Sequence, residues 1–231
     1  MIVKTVESLV RQIEAKDLST AAHTWRVVLY TRAMAEEAGL EAERIERLTH
    51  AAALHDVGKI DIPDRILQKP GPLDKDEFEV IKRHTQLGYA RLIRLQERDE
   101  LVLDLVRHHH ERWDGRGYPD GLKGDEIPVA ARYFAVIDSF DAMTSFRPYR
   151  ADVGEEAARR AVEELRTGIG SRYCAESVEM FEALHGSGRL DWIREYYNDT
   201  CPVGFETQGV LVAATSKYGP TTPVAVVETR T

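Results

Sequence analysis

Apolar residues recur every three or four positions through most of the first 186 residues, a spacing that is typical of helices with one buried face. Short stretches with glycine, proline or a capping residue separate these segments and predict where one helix ends and the next begins. The predicted helices cover residues 2–15, 20–38, 41–56, 74–84, 86–95, 99–110, 129–143, 154–167 and 175–185, with a last short helix over 190–197. The pattern therefore predicts a mainly α fold.

Several helix ends carry specific signals. Gly58 follows the third predicted helix, and glycine is the residue most often found just past a helix C-terminus. Asp74 and Glu77 have the spacing of a capping box, and Pro128 stands at the first turn of a helix. These signals support the helix boundaries that the apolar periodicity predicts.

The pattern changes after residue 186. Two runs, 209–215 and 223–229, resemble strands, and Lys217-Tyr218-Gly219-Pro220 between them has the composition of a turn. We therefore predict a small C-terminal β-hairpin, to which the sequence assigns no chemistry. The predicted division is an N-terminal helix at 1–17, a helical domain at 18–186 and a C-terminal extension at 187–231. The N-terminal helix fits an ordinary core helix, which its apolar stripe favours, or a docking or dimerising helix.

Composition excludes several classes of protein. With 231 residues, of which 43% are hydrophobic, the chain can bury one large core. A formal net charge of −8 argues against general nucleic-acid binding, and no apolar run approaches the ~18 residues of a membrane span. The N-terminus lacks the apolar core of a signal peptide, and Cys174 and Cys201 have no CxxC spacing. We expect both thiols to be reduced and the protein to lie in a bacterial-type cytoplasm.

Five potential metal ligands recur at nearly regular intervals, 32, 29, 25 and 29 residues apart. They are His23, His55, His84, His109 and Asp138. Two average helices with two short loops span about this many residues, so each ligand can return to the same end of a helical bundle. His55 is followed directly by a carboxylate, Asp56, which adds an oxygen donor beside the nitrogen donor.

A loop follows the fourth of these histidine-bearing helices, the one that carries His109. The stretch 111–121 contains three glycines and one proline, a content that excludes a helix and is typical of an ordered functional loop.

Together these motifs resemble the HD-GYP domains, a branch of the HD metal-dependent phosphohydrolases. The resemblance covers about residues 18–186. It is carried by His55-Asp56-Val57-Gly58-Lys59-Ile60, Ile62-Pro63-Asp64, Lys69-Pro70-Gly71, His84, the run from His109 to Pro119 with Gly117-Tyr118-Pro119 at its end, Ile127-Pro128, Asp138-Ser139-Phe140-Asp141-Ala142 and Arg147-Pro148-Tyr149-Arg150. It implies an HD-domain helical bundle and a bacterial phosphodiesterase that hydrolyses cyclic di-GMP to pGpG, GMP or both.

The resemblance also implies a two-metal site. One metal would be held by His23, His55, Asp56 and Asp138, and Asp56 would bridge to a second metal held by His84, His109 and His110. Ligands of nitrogen and oxygen without thiolate suit iron or manganese better than structural zinc. A hydroxide bridging the two ions would attack phosphorus.

The remaining assignments carry alternatives. Lys59 would lie beside the phosphoryl oxygens as a catalytic residue, or it stabilises a helix C-terminus. Tyr118 and Asp141 would line the substrate pocket, and Asp141 alternatively orients a metal ligand. Arg147 and Arg150 would contact the phosphates or guanine edges of the substrate, or they form a solvated charge cluster.

The sequence departs from the family pattern at three places, none of which removes a ligand. Ser19 stands where some members have a glutamate that helps to bind a third metal, so we predict two metals. Phe146 replaces an acidic residue before Arg147, and Tyr173-Cys174-Ala175 replaces Phe-Asp-Pro.

Two other hypotheses remain open from the sequence. The domain could be a non-catalytic receptor for cyclic di-GMP or a docking module, or it could hydrolyse another cyclic dinucleotide. A diguanylate cyclase domain or a second copy of the chain remains open as a partner, whereas nucleic acid and membrane are not expected.

Overall fold

The computed structural model describes residues 3–16, 20–145 and 154–196. Cys174, which lies in the described part, is a buried free thiol. The predictions for Ser19, Phe146, Arg147, Arg150 and Cys201 and for the hairpin at 209–229 lie outside the described residues.

Eleven α-helices make up the described structure, and its described residues contain no named strand. The helices are α1 Val3–Lys16, α2 Thr20–Glu37, α3 Ala42–Leu54, α4 Asp64–Leu67, α5 Lys75–Lys82, α6 His84–Arg94, α7 Glu100–His108, α8 Val129–Thr144, α9 Glu155–Thr167, α10 Ala175–Gly186 and α11 Asp191–Tyr196. Short 3-10 turns cover Val57–Asp61 and Gly124–Glu126. The prediction of a mainly α fold is confirmed, with helix bounds within a few residues of those expected.

Local capping explains where several helices begin and end. The Asp74 side chain accepts a hydrogen bond from the Glu77 amide at 2.9 Å and the Glu77 side chain accepts one from the Asp74 amide at 2.9 Å, so the predicted capping box is present. After α2, Gly39 has a φ of +67°, the left-handed conformation in which glycine ends a helix without steric cost. These two ends follow from sequence-local chemistry alone.

The prediction for Gly58 was wrong. Helix α3 already ends at Leu54, and Gly58 lies inside the following 3-10 turn without a positive φ. A Cβ at Gly58 would lie 1.8 Å from the carbonyl oxygen of His84 and 2.5 Å from the amide nitrogen of Gly88. Glycine is therefore required because the turn packs directly against the backbone of α6.

The core lies between α2, α3, α7 and α8, with α9 and α10 packed against α8. Tyr30, Phe140 and Phe181 form edge-on and tilted ring contacts at its centre, with centroids 4.7 to 6.3 Å apart. Helix α1 buries Leu9, Val10 and Ile13 in the same core, as expected for a core helix. This packing fixes the first turns of α2, the ends of α3 and α7 and the middle of α8, where the ligand candidates His23, His55, His109 and Asp138 lie.

The helices in the described parts of the chain include none with the length and apolar character needed to cross a membrane.

Candidate metal centre

His55 and Asp56 lie where α3 gives way to the 3-10 turn. His55 is the C-cap of α3, and Asp56 has φ −95° and ψ 10°, so the two side chains leave the backbone in different directions. Both are buried, with 2% and 4% of their surface exposed. The close contact of Gly58 with α6 holds this turn in place beside His84.

The first ligand group consists of His23, His55 and Asp56, whose donor atoms lie within 4.8 Å of one another. The Nε2 atoms of His23 and His55 are 3.3 Å apart, and an Asp56 Oδ2 lies 3.2 Å from His55 Nε2. Asp138 on α8 places Oδ1 3.5 Å from His23 Nε2. The four predicted ligands of the first metal are therefore together.

The second group consists of His84, His109 and His110, again with donor atoms within 4.8 Å of one another. His84 Nε2 lies 3.3 Å from His109 Nε2. The second carboxylate oxygen of Asp56, Oδ1, lies 3.4 Å from His84 Nε2. Asp56 thus directs one oxygen to each group, which is the position that a bridging carboxylate takes between two cations.

Hydrogen bonds at the far side of the rings orient these histidines. Nδ1 of His55 and of His84 each lies 2.7 Å from a backbone carbonyl, and Nδ1 of His109 lies 3.0 Å from another. A ring that donates from Nδ1 keeps a lone pair on Nε2, and here Nε2 atoms face each other at 3.3 Å. Facing lone pairs repel unless a cation lies between them, so the donor set fits metal ions.

Burial keeps the second group neutral. Desolvation, with the charge of neighbouring histidines, lowers the pKa of His109 well below its ordinary value and lowers the pKa of His110 to about 4. Burial also lowers the pKa of His84. Neutral imidazole is the form that binds metal, so little protonation competes with a cation at neutral pH.

Asp56 is held ionised despite its burial. Burial by itself would raise the pKa of this carboxyl group, but the charges of Lys59, His55 and His84 outweigh it and hold the pKa well below its usual range. For His55, burial opposes protonation, but the adjacent Asp56 carboxylate raises the pKa overall. Both shifts show that negative charge concentrates at Asp56.

Asp141 lies behind the first group and is fully buried. One carboxylate oxygen lies 2.8 Å from His23 Nδ1, and Arg26 donates to both oxygens at 2.6 and 3.0 Å. Ser145 adds a hydrogen bond of 2.9 Å. This geometry favours the alternative that Asp141 orients the ligand His23 over contact with substrate.

The role of Arg26 was not anticipated from the sequence. Its side chain is 5% exposed and its guanidinium pairs with Asp141 across 115 residues of chain. The available signal was spacing, since Arg26 follows His23 by three residues on α2 as Asp141 follows Asp138 on α8. Two such pairs on facing helices indicate a ligand layer and a supporting layer.

Lys59 and Tyr118 border the ligand groups. Lys59 Nζ lies 2.6 Å from Asp56 Oδ2, with 21% of its side chain exposed. The ring of Tyr118 lies 4.9 Å from that of His110, centroid to centroid, and 6.5 Å from that of His84. Burial raises the pKa of Tyr118, so its hydroxyl stays protonated.

A buried carboxylate organises the glycine-rich loop. Glu111 is 3% exposed and accepts hydrogen bonds from three consecutive loop amides, Asp120, Gly121 and Leu122, at 2.7 to 3.1 Å. A Cβ at Gly117 would lie 2.4 Å from the Arg112 amide nitrogen, so only glycine fits there. The Tyr118-Pro119 peptide is cis. The loop is therefore an ordered structure next to His110, and the role of Glu111 was not anticipated.

Three consecutive histidines, His108 to His110, do not all face the second group. His109 and His110 lie in it, whereas His108 Nε2 lies 3.0 Å from an Asp120 carboxylate oxygen.

Comparison with known proteins assigns the family. The HD domain family matches residues 7–176, which is most of the chain. The chain belongs to the HD domain family. Its curated relatives include a cyclic di-GMP phosphodiesterase of Thermotoga maritima, 42% identical over 200 residues, which are 86% of this chain and 54% of the relative. Cyclic di-GMP phosphodiesterase response regulator RpfG of Xanthomonas campestris is 41% identical over 191 residues, 82% of this chain and 49% of the relative.

Other relatives carry a different substrate in their names. The 3'3'-cGAMP-specific phosphodiesterase 2 of Vibrio cholerae is 38% identical over 176 residues, 76% of this chain and 33% of the relative. The HD-GYP resemblance is confirmed by this set of relatives. The chain spans about half the length, or less, of these curated proteins.

Solved structures support the same fold. Bd1817, an HDG"Y"P protein from Bdellovibrio bacteriovorus, aligns with a TM-score of 0.58 and 19% identity, over 73% of this chain and 53% of that protein. The PgpH HD domain of Listeria monocytogenes, in complex with cyclic-di-AMP, aligns with a TM-score of 0.56 and 15% identity, over 86% of this chain and all of that chain.

The HD domain is a metal-dependent hydrolase fold, and this member presents two groups of side chains that could bind metal. The donor set contains nitrogen and oxygen and no thiolate, since the described cysteine, Cys174, belongs to neither group. Oriented Nε2 lone pairs and a shared carboxylate fit divalent cations.

Proposed function

We propose that this HD domain is a phosphodiesterase that hydrolyses cyclic di-GMP to pGpG, GMP or both, using two divalent metal ions. The observation that carries the proposal is the position of Asp56, with one oxygen 3.2 Å from His55 and the other 3.4 Å from His84. A carboxylate shared in this way is typical of two-metal sites that cleave phosphate esters. The names of the Thermotoga and Xanthomonas relatives supply the substrate.

The metals would be held by all seven predicted ligands. The first ion would take His23, His55, Asp56 and Asp138, and the second would take Asp56, His84, His109 and His110. Iron or manganese suits these nitrogen and oxygen ligands. When bound, the cations lower the pKa of water and neutralise charge on the phosphoryl oxygens.

The chain's own residues hold and orient the substrate. Lys59, 2.6 Å from Asp56, places an ammonium at the exposed side of the centre, where it would meet a phosphoryl oxygen. Tyr118 keeps its proton and would donate a hydrogen bond or stack against a base. Arg147 and Arg150 would contact phosphate or guanine edges, because a guanidinium donates in pairs to both.

The test is hydrolysis of cyclic di-GMP by the full chain, purified without oxygen and loaded with iron or manganese. We expect turnover, with Asp56→Asn reducing kcat/KM more than about 100-fold. Asp61→Asn, which removes a carboxylate from an exposed pair with Arg91, is the matched control and should keep activity. No turnover with either metal, while cyclic di-GMP still binds, would overturn the enzyme in favour of a receptor.

A second candidate substrate is 3'3'-cGAMP, because a relative named for that substrate is 38% identical. Competition between the two dinucleotides in one reaction decides between them. A higher kcat/KM for 3'3'-cGAMP would replace cyclic di-GMP as the substrate while keeping the two-metal reaction. A partner that is a diguanylate cyclase domain or a second copy of the chain stays a prediction.

A further inference from the structure

Phe134, whose ring lies against the ligand histidine His55, also lines a separate pocket. It opens between α2, α3, α7 and α8 and has a volume of about 190 Å³. None of the seven predicted metal ligands lines it. Most of its wall is apolar, with side chains that include Met34, Leu48, Leu101, Leu105, Phe134 and Ile137.

Two polar features of the pocket lack partners. Thr31 lies in the wall, is 5% exposed, and its Oγ1 atom is buried with no hydrogen-bond partner. A buried hydroxyl without a partner costs free energy, and a ligand atom that meets it would recover that cost. Arg44, on the first turn of α3, also lines the pocket, is exposed and forms no ion pair with any described residue. The pocket thus combines an apolar interior with a cationic group and an unsatisfied hydroxyl.

We propose that this pocket binds a small monocarboxylate with a single aromatic ring. A cavity of about 150 Å³ accepts a benzene-sized molecule, so 190 Å³ holds one ring with a short side chain. The ring would lie among the apolar side chains, and the carboxylate would accept hydrogen bonds from Arg44 and Thr31. A cyclic dinucleotide is too large for this volume, and no predicted metal ligand lines the pocket, so the site is distinct from the phosphodiesterase centre.

Phe134 connects the pocket to the metal centre. Its ring, 1% exposed, lies 4.9 Å from the His55 ring and 6.1 Å from the His109 ring, centroid to centroid. Leu105, in the pocket wall, has its carbonyl oxygen 3.3 Å from His109 Nδ1. A ligand against Phe134 and Leu105 therefore contacts the side chain and the backbone that position two of the ligand histidines.

The test is calorimetric and ligand-observed NMR titration of the full chain with 3-phenylpropionate. We expect saturable binding at one site, with a dissociation constant on the order of 0.1–1 mM for a ligand of this size. Propionate, which lacks the ring, and 3-phenylpropanol, which lacks the charge, should each bind more weakly. These measurements need no catalytic activity, so their outcome is independent of the proposed phosphodiesterase.

Variants of the pocket decide the site. Ala130→Phe fills the pocket and should abolish binding, and Thr31→Val should weaken it about fivefold while Thr31→Ser keeps it. Arg44→Gln should weaken binding about threefold. The control Arg94→Gln, which changes an exposed arginine on α6 outside the pocket, should leave binding unchanged. Thermal melts check that each variant folds.

Two results would overturn the proposal. One is the absence of saturable binding of 3-phenylpropionate at ligand concentrations up to about 10 mM, which is 10-fold above the weakest expected dissociation constant. The other is binding that folded Thr31→Val and Arg44→Gln leave unchanged, since the ligand would then lie elsewhere on the chain.

Discussion

The buried pair of Arg26 and Asp141 offers a strong quantitative prediction. Their side chains are 5% and 0% exposed, and two hydrogen bonds of 2.6 and 3.0 Å join them. Asp141→Asn keeps the shape of the side chain and one acceptor oxygen but removes the charge. Arg26 would then remain buried with no carboxylate to compensate its charge.

The expected cost follows from this burial. Breaking a buried ion pair by removing one partner costs about 3–5 kcal/mol, and the retained acceptor oxygen places the expected loss near 3 kcal/mol. The exposed pair of Arg91 and Asp61, with side chains 22% and 31% exposed, has the same bidentate geometry. Asp61→Asn should therefore cost no more than about 1 kcal/mol.

The pH dependence carries a second signature of the same pair. Burial opposes ionisation of Asp141, but the charge of Arg26 and the bond to His23 outweigh it, so its pKa lies well below the usual range. A lowered pKa in the folded state stabilises the protein above the unfolded pKa, about 4, and this stabilisation is lost as the pH falls further. The difference in free energy of unfolding between wild type and Asp141→Asn should therefore have its maximum value at pH 7 and decrease below about pH 4.

Urea unfolding of metal-free protein measures these differences without a contribution from bound metal. Metal titration of the same variant should show an affinity lowered about 10- to 100-fold, because His23 loses its charged hydrogen-bond partner. A loss of stability below 1 kcal/mol, equal to that of Asp61→Asn, would refute the inference that this pair supports the site.

Three further predictions test the turn, the loop and the histidines. Gly58→Ala should lower the free energy of unfolding by about 3 kcal/mol or more, because its Cβ would overlap the His84 carbonyl oxygen. The control Gly186→Ala, whose Cβ would meet no atom within 4 Å, should change that free energy by no more than about 1 kcal/mol. Equal effects of the two glycine variants would contradict the close packing of the turn. Glu111→Gln should lower the free energy of unfolding by about 1–2 kcal/mol and speed the hydrogen exchange of the three loop amides that it accepts from, because a neutral acceptor binds them more weakly. Unchanged exchange would contradict the organising role of Glu111. In metal-free protein, NMR should show His110 titrating near pH 4, because burial lowers its pKa to about 4. The lowered pKa means that His110 reduces the stability of the folded state as the pH falls from about 6.5 to 4. Titration near pH 6.5 would show instead that the ring is solvated.

Local sequence signals predicted much of the fold. Apolar periodicity and the capping box at Asp74 depend on neighbouring residues, and the observed helices follow them closely. The signal at Gly58 was ambiguous, because a glycine after a helix fits either a left-handed cap or a close backbone contact. Only the packing of the turn on α6 distinguishes the two.

The ligand candidates, and Asp141 as a residue that orients one of them, could be found from motif and spacing, but the pairing of Asp141 with Arg26 could not. Arg26 and Asp141 are separated by 115 residues, and no local pattern shows that they pair. The bonds of Glu111 likewise depend on how the loop folds back over α7. The pocket beside Phe134 arises from four helices, so neither its shape nor the unsatisfied Thr31 hydroxyl is visible in the sequence.

The most direct test of the account is the metal content of the full chain, purified without oxygen and equilibrated with iron or manganese. We expect two ions per chain in the wild type, about one in His84→Ala, which removes a ligand of the second group alone, and fewer than one in Asp56→Ala, which removes the shared carboxylate. A single ion in the wild type, or two ions retained by Asp56→Ala, would contradict a two-metal centre built around Asp56.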